Sequence, residues 1–262
     1  MIGRLLGGAA IAASIALVAG RAGSLSVSGQ GAAIVVGALA VRAGWGWGAV
    51  LVTYFVLATA LSRWGRAEKA RRTGDITPDG GRRTARQVLA NGGVFAALLT
   101  AGEHPAIRLA ALGALATAAA DTWATEVGTR VGGTPRHLFS GDPLPPGLSG
   151  GVTLAGTVAA LAGAAVTATA TPWIVPSTGV AGVLVVTTAG FLGALLDSAL
   201  GATVQGRRRC PRCGMIGERT RHCDAFTEHA AGWRWMTNDL VNLGATAGGA
   251  TIAIAVAHLR SI

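Results

Sequence analysis

The stretch AAADTWATEVGTR, residues 118–130, decides how this chain is read. It closes a run of small and apolar residues that begins near Ala106 and is composed for a lipid bilayer, yet it carries Asp121 and Glu126, two carboxylates five residues apart. A membrane helix that ends in acids either caps itself with them or aims them at a site.

The surrounding chain supports the membrane reading. Of 262 residues 51% are hydrophobic and only 13% are charged, too apolar for an ordinary soluble domain. Uncharged stretches recur at roughly 5–20, 29–41, 46–62, 88–102, 109–120, 150–171, 178–196 and 240–257, with 29–41 and 88–102 the weakest. A bilayer core needs about 20 apolar residues per helix, and about 17 suffice. The expected fold is therefore all-α: a polytopic membrane helix bundle of seven to eight transmembrane helices, one integral membrane domain over residues 1–262. The 40 glycines suit close helix packing, because lipid supplies no hydrophobic drive between helices and small residues let backbones approach. The first span, MIGRLLGGAAIAASIALVAG, reads as a retained helix rather than a cleaved signal peptide, because its removal upsets the alternation of helices.

The net charge of +10 does not indicate nucleic acid, because of where it lies. Eight of the 22 basic residues fall between Arg63 and Arg86, and seven between Arg207 and Arg234, both between apolar spans. Such loops are cytoplasmic by the positive-inside rule. AGEHPAIR and TPWIVPST then lie outside, as does the C-terminus, and residues 201–237 form a cytoplasmic Cys/Arg-rich loop. The expected location is a prokaryotic inner or plasma membrane. Trp45, Trp47, Trp64, Trp173, Trp233 and Trp235 fall at predicted boundaries, as an interfacial belt does.

Three segments share one plan: VLATALSRWGR, the loop 67–83 and TARQVLANGG; ALATAAADTWATEVG, the loop 130–147 and LSGGVTLAG; GALLDSALGATVQG, the loop 207–235 and MTNDLVNLGAT. They read as a repeated helical hairpin, although shared composition alone also makes small-residue helices look alike. Their polar residues gather at the cytoplasmic side. Arg83, Gln87 and Asn91 follow a spacing of four, as do Asn238, Asn242 and Thr246, with Asp239 adjacent; Asp197 sits near the end of its own span. Four acids on three helices at one depth predict a polar pocket. Carboxylates and amides near water can hold Mg²⁺, arginines match phosphate oxygens, and the glycine-flanked helix starts expected at Asn91-Gly92-Gly93 and Ser149-Gly150-Gly151 offer backbone N–H groups to anions. These are the components of phosphoryl or nucleotidyl transfer, without a P-loop.

All three cysteines lie in CPRCGMIGERTRHC. Cys210 and Cys213 form a Cys-x₂-Cys knuckle suited to structural Zn²⁺, with Cys223 and His222 as further ligands; free thiols and a disulfide are the alternatives. Adjacent His222 and Cys223 are not expected to reach one ion with ease, which makes His229 a rival fourth ligand.

GGRRTARQVLANGG, ADTWATEVG, GTPR, PPGLSGG, GALLDSALGATVQ, RCPRCG and WMTNDLVNLGAT, taken together and in this order, resemble the membrane family called domain of unknown function 92, over about residues 80–246. One departure is Leu148, where Thr is expected in the family's Gly-Thr-Ser-Gly-Gly turn. The family includes an animal transmembrane protein and a plant phytyl-phosphate kinase. The resemblance implies a membrane kinase that converts a prenyl monophosphate, of the phytyl or geranylgeranyl type, to the diphosphate, with CTP or another nucleoside triphosphate as donor. On this reading Asp121, Glu126 and Asp197 hold Mg²⁺, with Asn91 beside them in the catalytic group and Asp239 a fourth acid. Arg82, Arg83 and Arg136 hold phosphates, together with Ser149 and Gly150, while Gln87, Asn238 and Asn242 donate hydrogen bonds or orient carboxylates. The isoprenoid tail lies in the bilayer, between glycine-rich helices. A lipid-phosphate cytidylyltransferase and a transporter are the rival readings.

Overall fold

The computed structural model of the protein describes residues 2–74, 76 and 81–260. Residues 77–80, part of the expected loop 67–83 and including the first glycine of the GGRRTARQ motif, lie outside the described residues. The helices are α1 (Ile2–Arg21), α2 (Val27–Ala43), α3 (Trp45–Arg63), α4 (Arg66–Thr73), α5 (Ala85–Ala101), α6 (Pro105–Val131), α7 (Leu154–Ala168), α8 (Thr171–Ile174), α9 (Gly179–Thr203) and α10 (Asn238–Leu259). Each of the eight apolar stretches of the sequence is mostly helical, the two weak ones included. Segments built on α1, α3, α7–α8, α9 and α10 are long and apolar enough to cross a membrane.

The helix that carries the acids is the axis of the bundle. α6 packs against α3, α5, α7, α9 and α10, and its residues Leu109 to Ala120 are all buried. It needs no lipid-facing surface there, because the other helices form its surroundings. Small side chains make the close approach work: a Cβ on Gly190 of α9 would stand 2.7 Å from Cβ of Ala116, so only glycine fits that crossing. Thr117, also buried, donates to the Gly113 carbonyl of its own helix at 2.9 Å, which leaves its hydroxyl satisfied without water.

Two of the three expected hairpins are directly packed pairs, α6 with α7 and α9 with α10. The first is built differently. α2 packs against both α3 and α5, and α5 turns its other surface to α6 and α10. Trp47 also departs from the expected belt. It is buried against Phe95, with ring centroids 5.8 Å apart, whereas Trp45, Trp64, Trp173, Trp233 and Trp235 are exposed.

The departures from an all-helical chain are small. β1 (Arg136–His137) pairs with β2 (Gly151–Val152) in the α6–α7 connection. Between α9 and α10 the chain forms a β-ribbon: β3 (Arg207–Arg209), β4 (Ile216–Gly217), β5 (Arg221–His222), β6 (Ala225–Phe226) and β7 (Glu228–Ala231), arranged as a sheet of order β4-β3-β7 and a β5–β6 hairpin.

Candidate functional site

A cavity of about 1550 Å³ opens at the end of the bundle that carries both arginine-rich segments. Its wall comes from the C-terminal ends of α3, α6 and α9, the N-terminal ends of α5, α7 and α10, the helix α4 and the ribbon. These helices alternate in direction, so six helix ends meet there.

Asp121 on α6 and Asp197 on α9 both line this cavity, and their carboxyl groups neighbour one another. Two neighbouring carboxylates repel each other, and a shared proton or a cation between them relieves that repulsion. Asp197 Oδ1 is buried and has no hydrogen-bond partner among the described residues. A group of hard oxygen donors with an unsatisfied buried atom fits Mg²⁺ well.

Glu126 is placed otherwise than expected for a metal ligand. Its Oε1 accepts from Ser62 Oγ at 2.6 Å, and its Oε2 is ion-paired with Lys69 Nζ. Lys69 is buried and donates also to the carbonyls of Leu61 at 2.8 Å and Ser62 at 3.0 Å, the last turn of α3. One ammonium thus ties α4 to α3 and α6. Arg72 adds to the clamp by donating to the carbonyls of Arg130 at 2.8 Å and Gly133 at 2.6 Å. Sequence reasoning missed Lys69. The available signal was that it is the sole lysine among 22 basic residues, at a point where three convergent donors are needed rather than a planar fork.

The arginines divide. Arg82 and Arg83 line the cavity. Arg83 holds the start of α5 against the α1–α2 turn, its N–H donating to the Ser24 carbonyl and its carbonyl accepting from the Ser26 N–H, both at 3.0 Å. Its Nη2 donates to Ser62 Oγ at 3.4 Å. Arg136 is exposed on β1, donates to the Gly141 carbonyl at 2.9 Å and lies off the described cavity wall, as do Asn91 and Asn242. Gln87 lines the cavity and accepts from the Thr84 N–H at 2.9 Å, capping α5. Asn238 and Asp239, at the start of α10, are on the wall, and Asp239 lies in the field of Arg86.

Neither glycine pair is a helix start. Asn91-Gly92-Gly93 lies inside α5, where Asn91 donates to the Gln87 carbonyl at 3.0 Å. α7 begins only at Leu154, capped by Thr153, whose Oγ1 accepts from the Gly156 N–H at 3.0 Å. Ser149 and Gly150 are instead a turn pressed onto α9. Gly150 has φ +84°, and a Cβ there would lie 2.4 Å from Cα of Ala202. Ser149 Oγ accepts from Gln205 Nε2 at 2.9 Å and donates to Glu218 Oε1, which the ribbon carries in. Burial pushes the Glu218 carboxyl above the usual range, against the opposing pull of Ser149 and Arg207. Glu218 and Gln205 were also missed: each is a lone polar residue whose partner is distant in sequence.

On the ribbon, Cys210, Cys213, His222 and Cys223 converge, with their ligand atoms all within 4.8 Å of one another. The expectation that His222 and Cys223 compete is corrected. Cys223 and Asp224 have φ of 48° and 56°, and this left-handed turn of the β5–β6 hairpin folds the Cys223 sulfur back to 3.2 Å from His222 Nδ1. His229 turns away, its Nε2 3.0 Å from the Gly232 carbonyl.

The description integral membrane protein DUF92 fits residues 10–250 of the chain. Protein PGR of Arabidopsis thaliana is 31% identical over 229 residues, covering 77% of this chain and 79% of that protein. The uncharacterized membrane protein sll0875 of Synechocystis is 30% identical over 237 residues, covering 87% of this chain and 81% of that protein. No solved structure matches. With the family pattern running through every helix that builds the cavity, the chain belongs to the integral membrane protein family DUF92.

Proposed function

We propose that the protein is a prenyl-phosphate kinase working at this cavity, which faces the cytoplasm because both arginine-rich segments border it. The observation that carries the reading is the Asp121–Asp197 pair beneath a rim of arginines. Small-molecule pockets run to about 1000 Å³. At about 1550 Å³ this cavity has room for a nucleotide and a phosphate head group together.

The reaction joins a phosphate oxygen of the prenyl monophosphate to the γ-phosphorus of the nucleoside triphosphate. The bond from that phosphorus to the β–γ bridging oxygen breaks, and a nucleoside diphosphate leaves. The acceptor has a second pKa of about 6 and needs no strong base. The difficulty is to bring two polyanions into line. A divalent cation, when bound, supplies positive charge between them; Asp121 and Asp197 would hold it. Arg82 and Arg83 would bind phosphate oxygens from the α5 side, and Asn238 would offer an amide from α10. Glu126 serves as the anchor of Lys69 rather than as a ligand. The isoprenoid chain would leave the cavity between helices into lipid.

The test is to incubate purified protein with a panel of prenyl monophosphates, Mg²⁺ and each nucleoside triphosphate, and to identify products by mass spectrometry. A prenyl diphosphate with matching nucleoside diphosphate is expected. A CMP-lipid with released pyrophosphate would make the protein a cytidylyltransferase, and no product from any pair would remove the kinase reading.

A further inference from the structure

The ribbon between α9 and α10 has almost no apolar core. Among the described residues from 207 to 235, Cys210 is the one apolar side chain that is buried. A segment that small does not hold its shape by packing; it needs a staple. The staple must also be strong, since the ribbon sets Glu218, Arg219 and Thr220 on the cavity wall.

We propose that Zn²⁺ bound by Cys210, Cys213, His222 through Nδ1, and Cys223 is that staple, and that it folds the ribbon into one wall of the cavity. Zn–S bonds of about 2.3 Å and Zn–N bonds of about 2.0 Å, arranged tetrahedrally, set ligand–ligand edges of about 3.5 Å. His222 Nδ1 lies 3.4 Å from Cys213 Sγ and 3.2 Å from Cys223 Sγ, and the full set spans no more than 4.8 Å. Three sulfurs and an imidazole select zinc over the hard cations suited to the carboxylate pair.

Two local structures converge on this point. The Cys210–Cys213 knuckle closes with the Gly214 N–H donating to the Cys210 carbonyl and the Cys210 N–H to the Met215 carbonyl, both at 2.9 Å, and Gly214 takes φ +74°. The opposing hairpin places two successive non-glycine residues, Cys223 and Asp224, in the left-handed region. The tight hairpin turn requires positive φ at both positions, which aspartate tolerates but which is disfavoured for Cys223. Metal ligation by Cys223 offsets that cost. The ribbon's remaining ties are hydrogen bonds, such as Glu218 N–H to the Ile76 carbonyl at 3.0 Å and Arg208 Nε–H to Thr227 Oγ1 at 2.7 Å, and each adds only a small net stability.

The site is independent of the carboxylate pair, so the experiment does not depend on turnover. The full chain, expressed with zinc in the medium and purified in detergent without chelator, is analysed for metals, for free thiols and for tryptic cleavage at the arginines of the ribbon. Expected are one zinc per chain, thiols that react only after a strong chelator strips the metal, and ribbon cleavage accelerated about tenfold or more on stripping while helix content stays unchanged. Cys210→Ser should lose the metal. Should that variant not insert, cobalt reconstitution of the wild-type chain replaces it, and the intense visible bands of a tetrahedral thiolate site are expected. No zinc with three freely titrating thiols, a disulfide, zinc retained at full occupancy in Cys210→Ser, or a cobalt spectrum without those bands would each overturn the assignment.

Discussion

Lys69→Met is the perturbation that most directly tests how the basic end of the bundle is held together. The Lys69 and Glu126 side chains are only 10% and 20% exposed, so their pair is closer to a buried than to a surface ion pair. Removing one partner of a buried pair costs about 3–5 kcal/mol, against about 0–1 kcal/mol for a surface pair. Lys69→Met leaves the Glu126 carboxylate with Ser62 Oγ alone and uncaps the Leu61 and Ser62 carbonyls, so the lower end of the buried range, about 3 kcal/mol, is expected. In a chain of this size that is a fall in Tm of about 6–12 °C. Glu126→Gln should cost less, about 2 kcal/mol, because the ammonium keeps its two carbonyl partners. The double variant should lose clearly less than the sum of the two single losses, with a coupling of about 2 kcal/mol, because neither charge is then left stranded. Unfolding in detergent, followed for the four proteins of the cycle, gives these numbers directly. The reasoning fails if the two losses simply add. It fails equally if Glu126→Gln keeps wild-type stability but raises the Mg²⁺ requirement for turnover, which would return Glu126 to the metal.

Asp121→Asn and Asp197→Asn should each abolish prenyl-phosphate turnover while stability stays within about 1 kcal/mol of wild type or rises, because each removes one of two opposed acids; near-normal turnover at low Mg²⁺ in either would misplace the site. Gly150→Ala should destabilise by about 3 kcal/mol, from its left-handed backbone and the 2.4 Å approach to Ala202, and unchanged unfolding would refute that packing. Glu218 has a folded pKa raised by burial, so the folded state binds its proton more tightly than the unfolded state, and stability is lost as pH rises through the folded value. The Tm of wild type minus that of Glu218→Gln should therefore increase as pH falls from about 7 to about 5, and a difference independent of pH would show the carboxyl unperturbed.

The helices and their order were legible in the sequence because burial in lipid or in a bundle demands long uncharged runs, and such runs have no other use. The acids at 121 and 197 were legible for the complementary reason: a charge at the end of an apolar span is conspicuous, and helical spacing alone places it at one depth. The cysteine knuckle is local, so its spacing was enough. What one dimension could not carry was which partner each polar group finds. Glu126 and Asp121 look alike on α6, and only the arrival of α4 gives one a lysine while α9 gives the other a second acid. Glu218 reaches Ser149 across 69 residues, and Trp47 leaves the interface for Phe95, because contacts between elements depend on the crossing of helices rather than on any residue's neighbours in the chain. His222 and Cys223 show the same limit at the shortest range: a one-residue spacing argues against a shared ion until two left-handed residues turn the chain back on itself.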